Sequence, residues 1–172
     1  MNKRTGQCIG ILSAIVAYYI VHEGAHLIYA LSIGAIKETH FRGLGIQIDV
    51  FNANMTNTQR GWFCLVGAMA TFVVAWLLVI LQKKIGTVKS DLFKTCALYT
   101  TIAMLIIDPL YLSVLCGLFG RGDMYGISLI IPESAARIGF GVLLCVNVCV
   151  FTLVVLRSYK KASEKLKTQK SV

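Results

Sequence analysis

Acidic residues are scarce in this chain. Of 172 residues only eight are Asp or Glu, three are His and two are Pro. Charged residues make up 15%, against about 25% in a soluble domain. Apolar residues reach 56%. A soluble protein of this length could not hide that much apolar surface, whereas a bilayer can cover it. The six cysteines (Cys8, Cys64, Cys96, Cys116, Cys145 and Cys149) form no C-x-x-C pair and lie in or beside apolar stretches. They read as small buried side chains rather than as disulfides or metal ligands. The net charge of +9 does not indicate nucleic acid, because Lys and Arg gather at the chain ends and in one connection between apolar runs. That is the charge pattern of a membrane protein.

Long apolar runs are what the chain has in plenty. A bilayer crossing needs about 20 such residues, and four stretches supply them: Cys8–Leu31, Gly61–Leu81, Leu92–Phe119 and Ala135–Leu156. Lipid leaves an open chain no way to satisfy its backbone polar groups except helix. The start, Met1-Asn2-Lys3-Arg4, resembles a signal peptide, but the run behind it is too long and is read as a retained span. Residues 82–91 read as a short basic loop. In the longer connection, Ile46-Gln47-Ile48-Asp49-Val50 alternates with a period of two, and Lys37–Phe41 precedes Gly43 and Gly45. This predicts a β-hairpin, with an irregular loop as the alternative. Residues 120–134 read as a Gly-rich turn followed by a short apolar piece ending at Pro132. The expected fold class is an all-α membrane protein, a bundle of four transmembrane helices with a small β-hairpin inserted between the first two. Residues 1–160 form one domain and 161–172 a basic cytoplasmic tail. With both termini cytoplasmic, twelve of the 17 Lys and Arg fall inside and five outside, as the positive-inside rule asks.

Within this apolar chain, His22-Glu23-Gly24-Ala25-His26 fits H-E-x-x-H. On a helix, positions i and i+4 lie about 40° apart around the axis and about 6 Å along it. Both imidazoles therefore reach one metal from one face. The Glu between them is placed to take a proton from a metal-bound water. Zinc suits imidazole ligands. Glu and His are costly inside a membrane helix, so three such residues in five positions argue for a role. The plain reading is a polar patch that holds helices together or lines a pore.

A catalytic zinc needs a third protein ligand and an open position. Asp108, in Ile107-Asp108-Pro109, and Asp123, in the turn beyond, are the candidates on the same side. Each has another reading. Asp123 could cap a helix starting at Met124, and Asp108 could satisfy backbone groups freed by Pro109. The carboxylate that is not a ligand could instead orient a ligand His through its other ring nitrogen. His40, in the predicted hairpin, reads as a solvated strand residue. The 46–50 strand, with Ile46 and Ile48, could pair with an extended substrate segment, and Asp108 is a further candidate for contact with substrate.

With these residues together, the chain resembles the site-2 protease family of intramembrane zinc metalloproteases, as a small, core-only member. The likeness covers roughly residues 10–135. It rests on His22-Glu23-Gly24-Ala25-His26, on the β-type insertion after it, and on the small-residue segment Leu65-Val66-Gly67-Ala68-Met69-Ala70-Thr71. Asp108-Pro109-Leu110-Tyr111 followed by Gly122-Asp123 is similar to the pattern of small bacterial members. That resemblance implies Zn2+ as cofactor, Glu23 as general base, and His22, His26 and Asp123 as ligands ahead of Asp108. It also implies a bacterial or archaeal cell membrane and substrates that are membrane-embedded or membrane-associated proteins or peptides. Two family features are missing: the Pro after Gly67 and the motif N-P-x-x-x-L-D-G. The rival expectations are a metal-binding transporter and a non-catalytic, peptide-binding membrane protein.

Overall fold

A computed structural model describes residues 2–42, 45–118 and 122–159 of the chain; the expected basic tail, 161–172, lies outside them. Helix α1 runs Lys3–Ser32, a length of about 45 Å at 1.5 Å per residue. It starts with the Asn2 side chain accepting from Arg4 N and ends in a Schellman turn. There Gly34, at φ +64°, lets Ala35 N reach Ala30 O at 2.9 Å and Gly34 N reach Leu31 O at 3.2 Å. Strands β1 (Ile36–Arg42) and β2 (Gly45–Val50) follow as an antiparallel pair, with Thr39 opposite Ile48 and a register irregularity between Ile36 and Glu38.

Helix α2 runs Asn57–Thr87 behind a capping box formed by Thr56 and Gln59. Its inward stripe is Gly61, Gly67, Ala68, Thr71, Ala75 and Val79, small residues that let neighbouring helices come close. The expected basic loop 82–91 is mostly helix. Nothing breaks the chain before Val88, and Gln82 and Ile85 continue the buried stripe while Lys83 and Lys84 point outward. The connection shrinks to residues 88–90, and Ser90 caps α3 (Asp91–Ser113) by accepting from Phe93 N.

Helix α3 stops short of the expected Phe119. Past Pro109, Ser113 Oγ donates to Pro109 O at 2.5 Å, and Arg137 Nε donates to Ser113 O at 3.1 Å. The chain then turns through a 3-10 segment, Leu115–Gly117. A short helix α4 (Gly122–Ile127) precedes α5 (Glu133–Val150), which continues through a π-helical stretch, Phe151–Val155, to Tyr159.

Helices α1, α2, α3 and α5 are each long and apolar enough to cross a membrane. Helix α3 packs against α1, α2 and α5, and α4 docks on α2. One core cluster joins Ala68, Leu112, Cys116, Met124, Ile127 and Ala136 near the hairpin end; another joins Ala75, Val79, Met104, Leu105 and Val155 further along. The outward faces carry exposed Ile20, Ile28, Ile80, Phe93 and Ile138. A bundle that buries its small and polar groups and still exposes many large apolar side chains suits lipid surroundings. The expected fold class, with its small two-stranded sheet between α1 and α2, is the one observed.

Candidate metal centre

Tyr18, His22 and His26 follow one another at four-residue spacing on the inward face of α1. The Tyr18 ring stacks on His22 with centroids 5.3 Å apart, and the His22 and His26 rings meet edge-on at 4.8 Å. Both histidines are buried. They are brought together at their Nε2 atoms, 3.2 Å apart.

Asp123 completes the group. Its Oδ2 lies 3.3 Å from His22 Nε2 and 3.7 Å from His26 Nε2. Three nearby residues fix Asp123 there. Gly122 takes φ +41°, a backbone angle that suits glycine, and Met124 and Ile127 bury themselves completely in the core beside it. Asp123 lies in the first turn of α4, which begins at Gly122 rather than Met124, and its carboxylate faces α1. Burial alone would push the Asp123 carboxyl up, but hydrogen bonds and charge from His22 and His26 outweigh it and hold the carboxyl well below the usual carboxylate range.

Asp108 meets the other edge of the His22 ring. Its Oδ1 is 3.3 Å from His22 Nδ1, and the Tyr18 hydroxyl lies 3.5 Å from the same nitrogen. The same oxygen accepts from the Tyr18 hydroxyl at 2.5 Å, and Oδ2 accepts from the Thr71 hydroxyl at 2.5 Å. Asp108 is 3% exposed. Asp108, also expected to contact substrate, lines a small cavity between α1 and α3.

Glu23 and Asp123 line one cavity of about 770 Å3, together with His26, Ile48, Phe63 and Tyr111. This volume lies in the range of ligand-binding sites. A smaller cavity of about 420 Å3 between α1 and α3 also reaches Glu23 and Asp123. Of the two strand positions expected to contact substrate, Ile48 is buried and lines the larger cavity. The side chain of Ile46 lies outside the described residues.

His40 is exposed, with Glu38 at 3.2 Å and Asp49 at 3.4 Å. Glu38 also pairs with Lys37 at 3.2 Å, and Lys37 and His40 hold its carboxyl below the usual range. Glu38, His40 and Asp49 thus form a second His and carboxylate group, on the exposed face of the hairpin.

Sequence reasoning passed over Tyr18, Thr71 and the packing role of Gly67. Their signal was present as helical spacing: Tyr18 precedes His22 by one turn, and Thr71 follows Gly67 by one turn. A Cβ added at Gly67 would stand 2.5 Å from His26 Nε2 and 2.8 Å from His22 Nε2. The space beside the two nitrogens stays open because residue 67 has no side chain.

Comparison with protein-family models, with curated proteins and with solved structures gives no match.

Proposed function

We propose that the protein is an intramembrane zinc metalloprotease that hydrolyses peptide bonds of membrane-embedded or membrane-associated substrates. The observation that carries this reading is the convergence of His22 Nε2, His26 Nε2 and Asp123 Oδ2 on one point, beside Glu23 in the wall of an open cavity.

The donor set fits zinc. Tetrahedral bonds of about 2.0–2.1 Å place ligand atoms about 3.3–3.4 Å apart. The three separations are 3.2, 3.3 and 3.7 Å. A divalent ion bound between these three electron-rich atoms would be held at close to that spacing. Two histidines and one carboxylate leave a fourth position free, as catalytic sites do.

Zinc, when bound, would acidify water and polarise the scissile carbonyl. The protein's own part falls to Glu23, which accepts a proton from the attacking water and returns it to the leaving nitrogen. Ile48 and Phe63 form an apolar wall for an extended substrate segment. An extended segment is the form required, because a helix shields its peptide bonds. The resemblance to site-2 proteases points to the same reaction and substrate class.

The test is metal analysis and peptide cleavage by the protein purified in detergent. Wild type is expected to hold about one zinc and to cut a transmembrane peptide. Glu23→Gln should keep the zinc and lose cleavage by about 10²–10⁴-fold, the usual worth of a general base. His22→Ala and Asp123→Ala should lose the zinc. Zinc retained by His22→Ala would sink the proposal. Metal passage across vesicles without peptide cleavage would favour a transporter, and function intact in Glu23→Ala would favour a peptide-binding protein.

A further inference from the structure

We infer that Asp108 is a positioning residue for the candidate centre: its carboxylate locks the ring of His22 through Nδ1, so that Nε2 faces the metal position as an electron-pair donor. The inference rests on the metal reading above and gives a specific role to a carboxylate which that reading leaves without one.

A carboxylate inside an apolar bundle is costly and needs a reason. Pro109 offers the first explanation to consider. Its missing N–H frees the carbonyl of Leu105, one turn back. That carbonyl already has a partner, because Asn147 Nδ2 on α5 donates to it at 2.8 Å. Asp108 is therefore not needed to repair the kink. Both of its oxygens turn away from the α3 backbone, toward Tyr18 and His22 on α1 and Thr71 on α2.

A second explanation is that Asp108 is itself a ligand. The ring geometry argues against it. The two imidazole nitrogens direct their lone pairs to different sides of the ring. His22 Nε2 faces His26 and Asp123, whereas Asp108 Oδ1 faces Nδ1. An oxygen on the Nδ1 side cannot share an ion bound at Nε2.

What remains is orientation. A carboxylate accepting from Nδ1–H selects the tautomer with a free Nε2 and raises the basicity of that nitrogen. The hydroxyls of Tyr18 and Thr71 hold the carboxylate in turn, one on each oxygen. His26 has no such support: its Nδ1 is buried with no hydrogen-bond partner among the described residues. The two ligand histidines are thus unequal, and the anchored one is His22.

Zinc affinity, measured by chelator competition on the purified protein, tests this separately from cleavage. Asp108→Ala should still take up one zinc at saturation, with affinity lowered about 10–100-fold. Asp108→Asn, which keeps one accepting oxygen, should recover part of that loss. Thr71→Val should give a smaller drop in the same direction, and it serves as the reading if Asp108→Ala does not fold. In the Co2+-substituted protein, the visible absorption bands should shift in Asp108→Asn while their number and intensity remain those of a four-coordinate site. Unchanged affinity in both Asp108→Asn and Thr71→Val would overturn the inference. Complete loss of zinc in Asp108→Asn, with zinc retained by Asp123→Asn, would overturn it too, by making Asp108 the ligand. Zinc binding with this affinity pattern but no peptide cleavage would sink the protease reading and leave the inference standing.

Discussion

At the scale of single residues, the candidate centre depends on an atom that is missing as well as on those present. A Cβ at Gly67 would stand 2.5 Å from His26 Nε2, too close for any ring position near the observed one. Gly67→Ala should therefore lower zinc affinity by more than tenfold while circular dichroism shows the helices intact. Alanine favours helix over glycine by about 1 kcal/mol, so the loss cannot be blamed on a weakened α2. Zinc affinity equal to wild type would show that the rings have room to move aside. The His22 and His26 pair was legible from sequence because four-residue spacing on a helix is a local property. The choice between Asp108 and Asp123 was not. Both lie toward the same end of the bundle, and only the fold places one at Nδ1 and the other at Nε2.

At the scale of elements, helix α3 is held at its weak point from outside. Pro109 leaves Leu105 O without an intrahelical donor, and Asn147 supplies one from α5. Asn147→Ala should destabilise the bundle by about 1 kcal/mol, within the range measured for hydrogen bonds between membrane helices, read as a lowered unfolding midpoint in detergent. Pro109→Ala restores the N–H, so in that background the Asn147→Ala effect should shrink toward zero. An equal effect in both backgrounds would show that Asn147 acts through packing alone. The ends of elements were the part of the fold least legible in sequence. Gln82–Thr87 is basic and looks like a loop, yet its helix runs on because Gln82 and Ile85 find the bundle interior. The hairpin was legible, since alternation at a period of two is also a local signal.

At the scale of the whole molecule, the four long helices bring the candidate centre, the hairpin and the larger cavity to one end. His22 and His26 lie in the second half of α1, Gly67 in the first half of α2, and Asp108 in the last third of α3. The charge bias, twelve Lys and Arg against five, sets the expected orientation: residues 88–90 cytoplasmic and the hairpin outside. Single cysteines at Lys89 and at His40, in a background without native cysteines, should label from opposite sides of sealed vesicles. Labelling from the reverse sides would overturn the orientation and move the entrance of the cavity to the cytoplasm.

Sequence alone determined the four helices, the hairpin and the H-E-x-x-H pair. In apolar surroundings each helix must satisfy its backbone within itself, and a motif at one-turn spacing needs only its own helix to form. Tertiary structure alone decided which carboxylate joins His22 and His26, that Gly67 leaves them room, and that Tyr18 and Thr71 hold Asp108. Those relations join α1, α2, α3 and α4. They depend on how small residues let the helices approach and on where buried Met124 and Ile127 pin the turn that carries Asp123.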